Sequence, residues 1–165
     1  MSRLTEAAFT SFHSDTSRAL WAYVYRVTAN AADADDIVQE SFLRVLRADL
    51  ETDDEGQWRR YLYRVASNLI VDRWRVRNRE RGEEMAGEPG TSSGRFDTDA
   101  DVARIFSELN ARDRALLWLA YVEGESHEEI ASSLGVGRRS MKVLLFRARR
   151  RLRELLVAHG VVVRS

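Results

Sequence analysis

The chain has 165 residues, and its 26 basic and 26 acidic side chains leave no net charge. This length fits one or two small domains. Cysteine is absent and the three histidines lie far apart in the sequence, which excludes a disulfide framework and argues against a metal site. No apolar run approaches the ~20 residues that span a bilayer, and the N-terminus lacks the apolar core of a secretory signal. We therefore expect a cytoplasmic protein without cofactor, metal or membrane contact of its own.

Helical periodicity runs through most of the chain, and proline occurs only once, at Pro89. The predicted helices cover residues 5–12, 15–29, 34–48, 55–77, 100–109, 111–123, 127–134 and 138–157. Residues 79–99 are polar and rich in Gly, Ser and Glu, which is typical of a flexible linker. The sequence thus predicts an all-α fold in which two small helical domains, residues 1–78 and 100–165, are joined by residues 79–99.

The predicted helix 34–48 has an apolar side and an acidic side. Its core-facing residues are expected to be Ile37, Val38, Phe42, Val45 and Leu46. Its outward residues are expected to be Asp35, Asp36, Gln39, Glu40, Leu43 and Arg47. An exposed acidic strip that ends in a leucine suits a basic protein partner better than DNA, although an ordinary solvated helix face has the same pattern.

The predicted helix 55–77 carries cations and aromatic residues on more than one side. Its buried side is expected to contain Trp58, Leu62, Val65, Leu69 and Val76. A polar strip is formed by Arg64, Asn68, Asp72 and Arg75, and a third side by Tyr63, Ser67, Ile70 and Trp74. Such aromatic side chains either pack in a core or stack on unpaired bases. The pattern alone leaves both alternatives open.

The segment 126–153 predicts a helix-turn-helix. Ser126 and Glu129 have the spacing of a capping box, which marks the start of a helix. Gly135 follows the first helix, at the position where the chain must adopt a positive φ to turn sharply. A second helix then runs to about Arg153. In this arrangement the second helix can enter the major groove of DNA.

The second helix of this motif separates into two faces at 3.6 residues per turn. The expected core face contains Met141, Leu144, Leu145, Ala148, Leu152 and Leu155. The opposite face contains Arg139, Lys142, Val143, Phe146, Arg147 and Arg150. A face with four cations and one large aromatic residue suits phosphates and base edges.

Three segments in this order resemble the extracytoplasmic-function (ECF) sigma factors of the sigma-70 superfamily. They are DADDIVQESFLRVLR (33–47), WRRYLYRVASNLIVDRWRVRNR (58–79) and the helix-turn-helix 126–153. The resemblance implies a promoter-specificity subunit of bacterial RNA polymerase, with no enzymatic activity. It implies three partners, which are core polymerase, promoter DNA and an anti-sigma factor. Core polymerase would be contacted through its β′ clamp helices and its β flap.

The resemblance also implies residue roles. The clamp-helix contact would be carried by Asp36, Gln39, Glu40 and Leu43. Recognition and melting of the −10 element would be carried by Tyr63, Arg64, Ser67, Asn68, Asp72, Trp74 and Arg75, with residues 49–57 as a loop that traps a flipped base. Recognition of the −35 element as duplex would be carried by Arg139, Lys142, Val143, Phe146, Arg147 and Arg150. Gly137 stands where the family commonly has a serine, and glycine is tolerated at a helix N-cap.

Two other functions fit the same residues. The first is a helix-turn-helix repressor or activator that is not a polymerase subunit, which would require self-association and a palindromic site. The second is an interaction module that binds polymerase or an anti-sigma factor without directing transcription. An enzyme fits least, because no nucleophile–base pair and no phosphate-cradling glycine loop is visible.

Overall fold

A computed structural model describes residues 5–81 and 98–161 of the chain, and no strand occurs within them. The α-helices are α1 (Glu6–Thr28), α2 (Ala31–Arg47), α3 (Glu55–Arg81), α4 (Thr98–Ser107), α5 (Ala111–Leu117), α6 (His127–Leu134) and α7 (Met141–Ala158). A π-helix, Trp118–Val122, continues α5, and a 3₁₀ turn, Arg138–Ser140, precedes α7. The expected all-α fold is confirmed.

The chain separates into two compact units. The first comprises Met1–Arg73 with Ser132–Gly135, and the second comprises Trp74–Ala131 with Val136–Ser165. Most of the predicted linker, residues 79–99, lies outside the described residues. The predicted domain boundaries therefore stay predictions.

The first helix is longer than expected. Residues 5–12 and 15–29 were predicted as two helices, but α1 is continuous from Glu6 to Thr28. That prediction was wrong because it took Ser14 and Asp15, residue types that favour helix starts, as the beginning of a new helix. Both side chains are exposed in the middle of α1 and do not interrupt its backbone hydrogen bonds. The helix starts instead at Thr5, whose side chain accepts a hydrogen bond from Ala8 N–H.

Aromatic contacts join the helices of the first unit. The ring of Phe12 on α1 makes T-shaped contacts with Phe42 on α2 and Trp58 on α3, with centroid distances of 6.1 and 5.7 Å. The predicted core positions Leu46 and Val76 are exposed instead, at 51% and 56% of their surface. Both side chains lie at the edge of the apolar stripe of their helix, where helical spacing alone does not decide burial.

In the second unit, α5 packs on α7 around Leu109, Leu117 and Ala148. A 2.6 Å ion pair between Arg151 Nη1 and the buried Asp113 Oδ2 joins the same two helices. Burial lowers the pKa of Arg114 to about 10, so this guanidinium stays charged at neutral pH. Its Nη1 donates to the carbonyl oxygens of Ser107 and Leu109 at 2.8 and 2.7 Å, which offsets part of the cost of burying the charge.

Both ends of α6 have the local structure that the sequence predicted. Ser126 N–H donates to Glu129 Oε2 at 3.0 Å, and Glu129 N–H donates to Ser126 Oγ at 3.1 Å, which confirms the capping box. Gly135 has φ +65°, and Val136 N–H donates to the carbonyl of Ala131 at 3.1 Å, which closes the helix end. These local bonds determine where α6 begins and where it ends.

Candidate nucleic-acid interface and docking surface

The two predicted faces of α7 are present. Met141, Leu145 and Ala148 are buried. The predicted DNA face, comprising Arg139, Lys142, Val143, Phe146, Arg147 and Arg150, is exposed throughout. Phe146 is a large aromatic side chain with 59% of its surface exposed. It is therefore not part of the core of this unit. This exposure is what contact with a nucleic acid requires, while the role of each residue in reading the −35 element stays a prediction.

Two cations near this face have acidic neighbours. Arg150 Nε lies 3.1 Å from Glu154 Oε1, and Arg138 Nη2 lies 3.7 Å from Glu128 Oε2. All four side chains are well exposed, so each pair contributes about 0–1 kcal/mol to stability. Such weak pairs exchange readily for phosphate contacts, because the phosphate takes over the cation's hydrogen bonds.

The predicted docking strip on α2 is also accessible. Asp36 and Gln39 are exposed. Glu40 is partly exposed and its Oε1 accepts a hydrogen bond from Arg44 Nε at 3.0 Å. Leu43 is 36% exposed, and the adjacent Leu46 extends the apolar part of the strip. Leu46 follows Leu43 at i+3 on one helix face, which is the sequence signal that could have placed it here.

On α3 the predicted −10 residues fall into two groups. Arg64, Asn68, Asp72 and Arg75 are exposed, and Trp74 is half-buried. Tyr63 and Ser67 are buried at 1% and 0% exposure, so the free chain does not present them to DNA, and their role in −10 recognition stays a prediction.

The burial of Tyr63 and Ser67 has a physical cause in α1. The hydroxyl oxygens of Ser67 and Tyr23 lie 2.8 Å apart in a buried hydrogen bond. The Tyr23 and Tyr63 rings are 5.5 Å apart, and the Arg59 guanidinium covers the Tyr63 ring at 5.5 Å from its centroid. These contacts hold both side chains in the core, where neither is exposed to a base.

The acidic loop before α3 is held by hydrogen bonds at its C-terminal end. Trp58 Nε1 donates to the carbonyl of Thr52 at 2.9 Å, and Gly56 N–H donates to Asp54 Oδ1 at 2.9 Å. At the other end of the loop, Asp49 adopts φ +48°, the left-handed region that aspartate tolerates better than most residues. Glu51 and Asp53 lie between these points and are exposed.

Within the described residues, no three His, Asp or Glu side chains come together as a metal site would require. None of the helices in residues 5–81 and 98–161 combines the length and hydropathy needed to cross a membrane. The accessible features are a cationic helix-turn-helix face, an acidic strip and a polar strip. Together they define a helical DNA-binding protein that also has a surface suited to a protein partner.

Comparison with protein families names this class more closely. The model of Sigma-70 region 2 matches residues 13–80, and that of Sigma-70 region 4 matches residues 100–152. The ECF RNA polymerase sigma factor SigL of Mycobacterium tuberculosis is 31% identical over 94% of this chain and 92% of its own length. SigE of Mycolicibacterium smegmatis is also 31% identical, and the match spans 86% of this chain but only 58% of SigE.

Solved structures give the same result. The sigma factor RpoE of Bartonella quintana, in complex with the anti-sigma factor NepR, matches 90% of this chain with a TM-score of 0.65 and 25% identity. CnrH, in complex with the cytosolic domain of CnrY, matches 93% with a TM-score of 0.63 and 26% identity. The chain belongs to the ECF RNA polymerase sigma factors, as its sequence motifs predicted.

Proposed function

We propose that this sigma factor reads the −35 promoter element as duplex DNA with the exposed face of α7. One observation carries the proposal: all six residues of that face are exposed while Met141, Leu145 and Ala148 on the opposite face are buried. Arg139, Lys142, Arg147 and Arg150 would supply salt-dependent phosphate and base contacts. Val143 and Phe146 cannot neutralise phosphate, so they would act through apolar contacts such as those to thymine methyl groups.

The exposed strip of α3 is the proposed −10 site. Arg64, Asn68, Asp72 and Arg75 would contact the strand that is separated during melting, with the half-buried Trp74 nearby on the same helix. The predicted loop 49–57, of which residues 49–54 precede α3 as a loop and residues 55–57 form its first turn, would receive a flipped base, because a base in the duplex stack does not expose its faces. In this revised proposal, Tyr63 and Ser67 hold α3 against α1 and do not touch DNA.

The strip on α2 is the proposed contact with the polymerase β′ clamp helices. Asp36, Gln39 and Glu40 would meet basic side chains, and Leu43 with Leu46 would provide the apolar part of the contact. The β flap is a second proposed contact with core polymerase. The likeness to RpoE and CnrH, each solved with a partner named NepR or CnrY, supports an anti-sigma factor as a further partner. The chain would act by binding rather than catalysis, in the cytoplasm at the nucleoid.

Polymerase docking is tested by Glu40→Arg. Reversing this charge should weaken binding to core polymerase about tenfold, or ~1.4 kcal/mol, with a change in stability of about 0.5 kcal/mol or less. Asp15→Arg on the exposed side of α1 is the charge-matched control and should bind like the parent chain. Equal affinity of Glu40→Arg and Asp15→Arg in a titration with sigma-free core polymerase would remove α2 from the docking role.

Promoter recognition is tested by a binding-and-sequencing selection with the polymerase complex. The recovered sites should contain two separated elements and should depend on core polymerase. Palindromic sites recovered without polymerase would contradict the proposal and favour a repressor or activator, because a dimeric helix-turn-helix protein reads two symmetric half-sites.

A further inference from the structure

The first turn of α2 is tied to both neighbouring helices by side-chain bonds. Trp21 Nε1 on α1 donates to Asp35 Oδ1 at 2.7 Å, and Arg73 Nη1 on α3 donates to Asp33 Oδ1 at 3.0 Å. The two bonds join residues that are 14 and 40 positions apart in the sequence. The contacts with promoter and polymerase that are proposed above use none of these four side chains.

The carboxylate of Asp33 is the better shielded end of its ion pair with Arg73. The side chain of Asp33 is 14% exposed, and that of Arg73 is 36% exposed. Asp33 N–H also donates to Asn30 Oδ1 at 3.0 Å, so the cap of α2 fixes the backbone that carries the carboxylate. Because salt screens a partly buried pair less than an exposed pair such as Arg150 with Glu154, this bond can hold two helices in one geometry.

On α3 the ion pair lies beyond the apolar core. Val71 is buried, whereas none of the residues 72–79 is buried. Close packing of α3 therefore ends at Val71, but the proposed −10 strip continues past it to Asp72 and Arg75. The bond of Arg73 is thus placed where the core no longer sets the rotation of the helix.

Arg73 does not lie on the proposed −10 strip itself. At about 100° per residue, its side chain is about 140° around α3 from Asn68 and about 180° from Arg64. The side of α3 that reaches α2 is therefore nearly opposite the side proposed to meet DNA. From this position Arg73 can orient the strip without contacting the nucleic acid.

On α2 the partner of Arg73 shares a side with the docking strip. Glu40 follows Asp33 by seven residues, which is two turns along the same side of the helix, or about 10 Å. Asp36 follows Asp33 by three residues and is its neighbour on the helix surface. One ion pair thus connects the helix proposed to dock on polymerase with the helix proposed to read the −10 element.

We propose that Asp33 and Arg73 are positioning residues, whose ion pair sets the orientation of the −10 strip relative to the docked α2. The role rests on the function proposed above, because it matters only when α2 is bound to polymerase. When α2 docks, the pair fixes which side of α3 faces the separated strand. Without the pair, docking remains intact but the end of the strip is no longer held in the productive orientation, so promoter melting becomes slower.

A double-mutant cycle with the full chain bound to core polymerase tests the proposal. Asp33→Asn and Arg73→Gln each remove the ion pair, and permanganate reactivity of unpaired thymines at equal promoter occupancy reports melting. Each single variant should form open complexes about fivefold more slowly, which is the effect of losing one ordinary hydrogen bond. The double variant should be no slower than either single variant, because both changes remove the same interaction. The affinity for core polymerase should match that of the parent chain.

Two further variants separate positioning from other roles. Arg73→Lys keeps the charge, and a bond to one carboxylate oxygen does not need the guanidinium fork, so melting should stay near the parent rate. Asp15→Asn, on the exposed side of α1, is the isosteric control for Asp33→Asn and should melt the promoter like the parent chain. Urea unfolding of every variant measures how much of each is folded under the assay conditions.

Three results would overturn the proposal. The first is a parent-like rate for Asp33→Asn with a loss confined to Arg73→Gln, since Arg73 would then contact phosphate directly. The second is additive losses in the double variant. The third is a loss of core affinity or of folded protein that parallels the loss of melting, since the pair would then support only the fold. Asn68→Ala separates this inference from the proposed −10 site: if it also melts the promoter like the parent, the site is wrong, and if it alone is impaired, only the role of the ion pair is wrong.

Discussion

Helices α3 and α7 present the same kind of sequence, in which cations alternate with aromatic and apolar side chains, but the fold uses their aromatic residues differently. Phe146 on α7 is 59% exposed, whereas Tyr63 on α3 is 1% exposed. The buried side of α7 is a single stripe through Met141, Leu145 and Ala148. On α3 the buried residues occupy a much wider arc, comprising Trp58, Leu62, Tyr63, Val65, Ala66, Ser67, Ile70 and Val71.

The difference follows from how each helix is packed. A helix with one packed side has a wide exposed face, and any aromatic residue on that face is available to a ligand. A helix that packs over a wide arc leaves only a narrow exposed strip, which on α3 is the line through Arg64, Asn68, Asp72 and Arg75. Tyr63, which lies beside that strip, therefore belongs to the core.

The largest expected effect separates Tyr63 from Phe146 by stability. Tyr63→Ala removes a buried ring and its packing against Tyr23, so we expect a loss of about 3–5 kcal/mol in the free energy of unfolding. Phe146→Ala should change stability by about 0.5 kcal/mol or less, because the ring is exposed. Urea unfolding followed by circular dichroism measures both. If the two variants proved equally stable, the contrast between the helices would be lost.

Within the exposed face of α7, Val143→Ser should alter sequence preference. If Val143 contacts a base directly, the substitution should change the relative binding free energies of −35 variants, and so their ranking, by roughly 1–3 kcal/mol per favoured position. The overall affinity for unrelated duplexes should stay the same, since no charge is altered. A selection with the polymerase complex compares the preferred sequences. An unchanged preference would mean that Val143 is not a reading residue.

On α3, Asn68→Ala tests the exposed strip beside the buried residues. We expect the free energy of open-complex formation to become less favourable by about 1 kcal/mol, which corresponds to one lost hydrogen bond. The affinity of initial promoter binding should change little. Stability should change much less than in Tyr63→Ala, because Asn68 is exposed. Permanganate reactivity of unpaired thymines near the start site reports melting. Parent-like reactivity at the same occupancy would exclude Asn68 from the −10 site.

The smallest expected effect concerns Arg150. Arg150→Ala should weaken binding to all duplexes alike and lower the slope of log affinity against log salt by about one. Its exposed pair with Glu154 does not alter this expectation, since such pairs contribute little. Arg153→Ala is the charge-matched control, because Arg153 is an exposed cation of the same helix outside the predicted DNA face, and it should keep the parent slope. An identical slope for Arg150→Ala would show that Arg150 makes no phosphate contact.

The sequence by itself determined the features that depend on neighbours within a few residues. The capping box at Ser126, the left-handed turn at Gly135 and the Asn110 cap, whose side chain accepts from Asp113 N–H at 2.8 Å, all follow from hydrogen bonds over three to five residues. The two faces of α7 follow from helical spacing and one packed side. The family followed from three segments, 33–47, 58–79 and 126–153, which resemble ECF sigma factors and occur in the same order along the chain.

Only the tertiary structure decided which side chains lie inside. Ser67 bonds to Tyr23 across 44 residues of sequence, and no local pattern on α3 contains that information. The same holds for Leu46, which is exposed although its helical spacing predicted a core position. Burial depends on how many neighbours a helix has and on which sides, and those neighbours are distant in the chain.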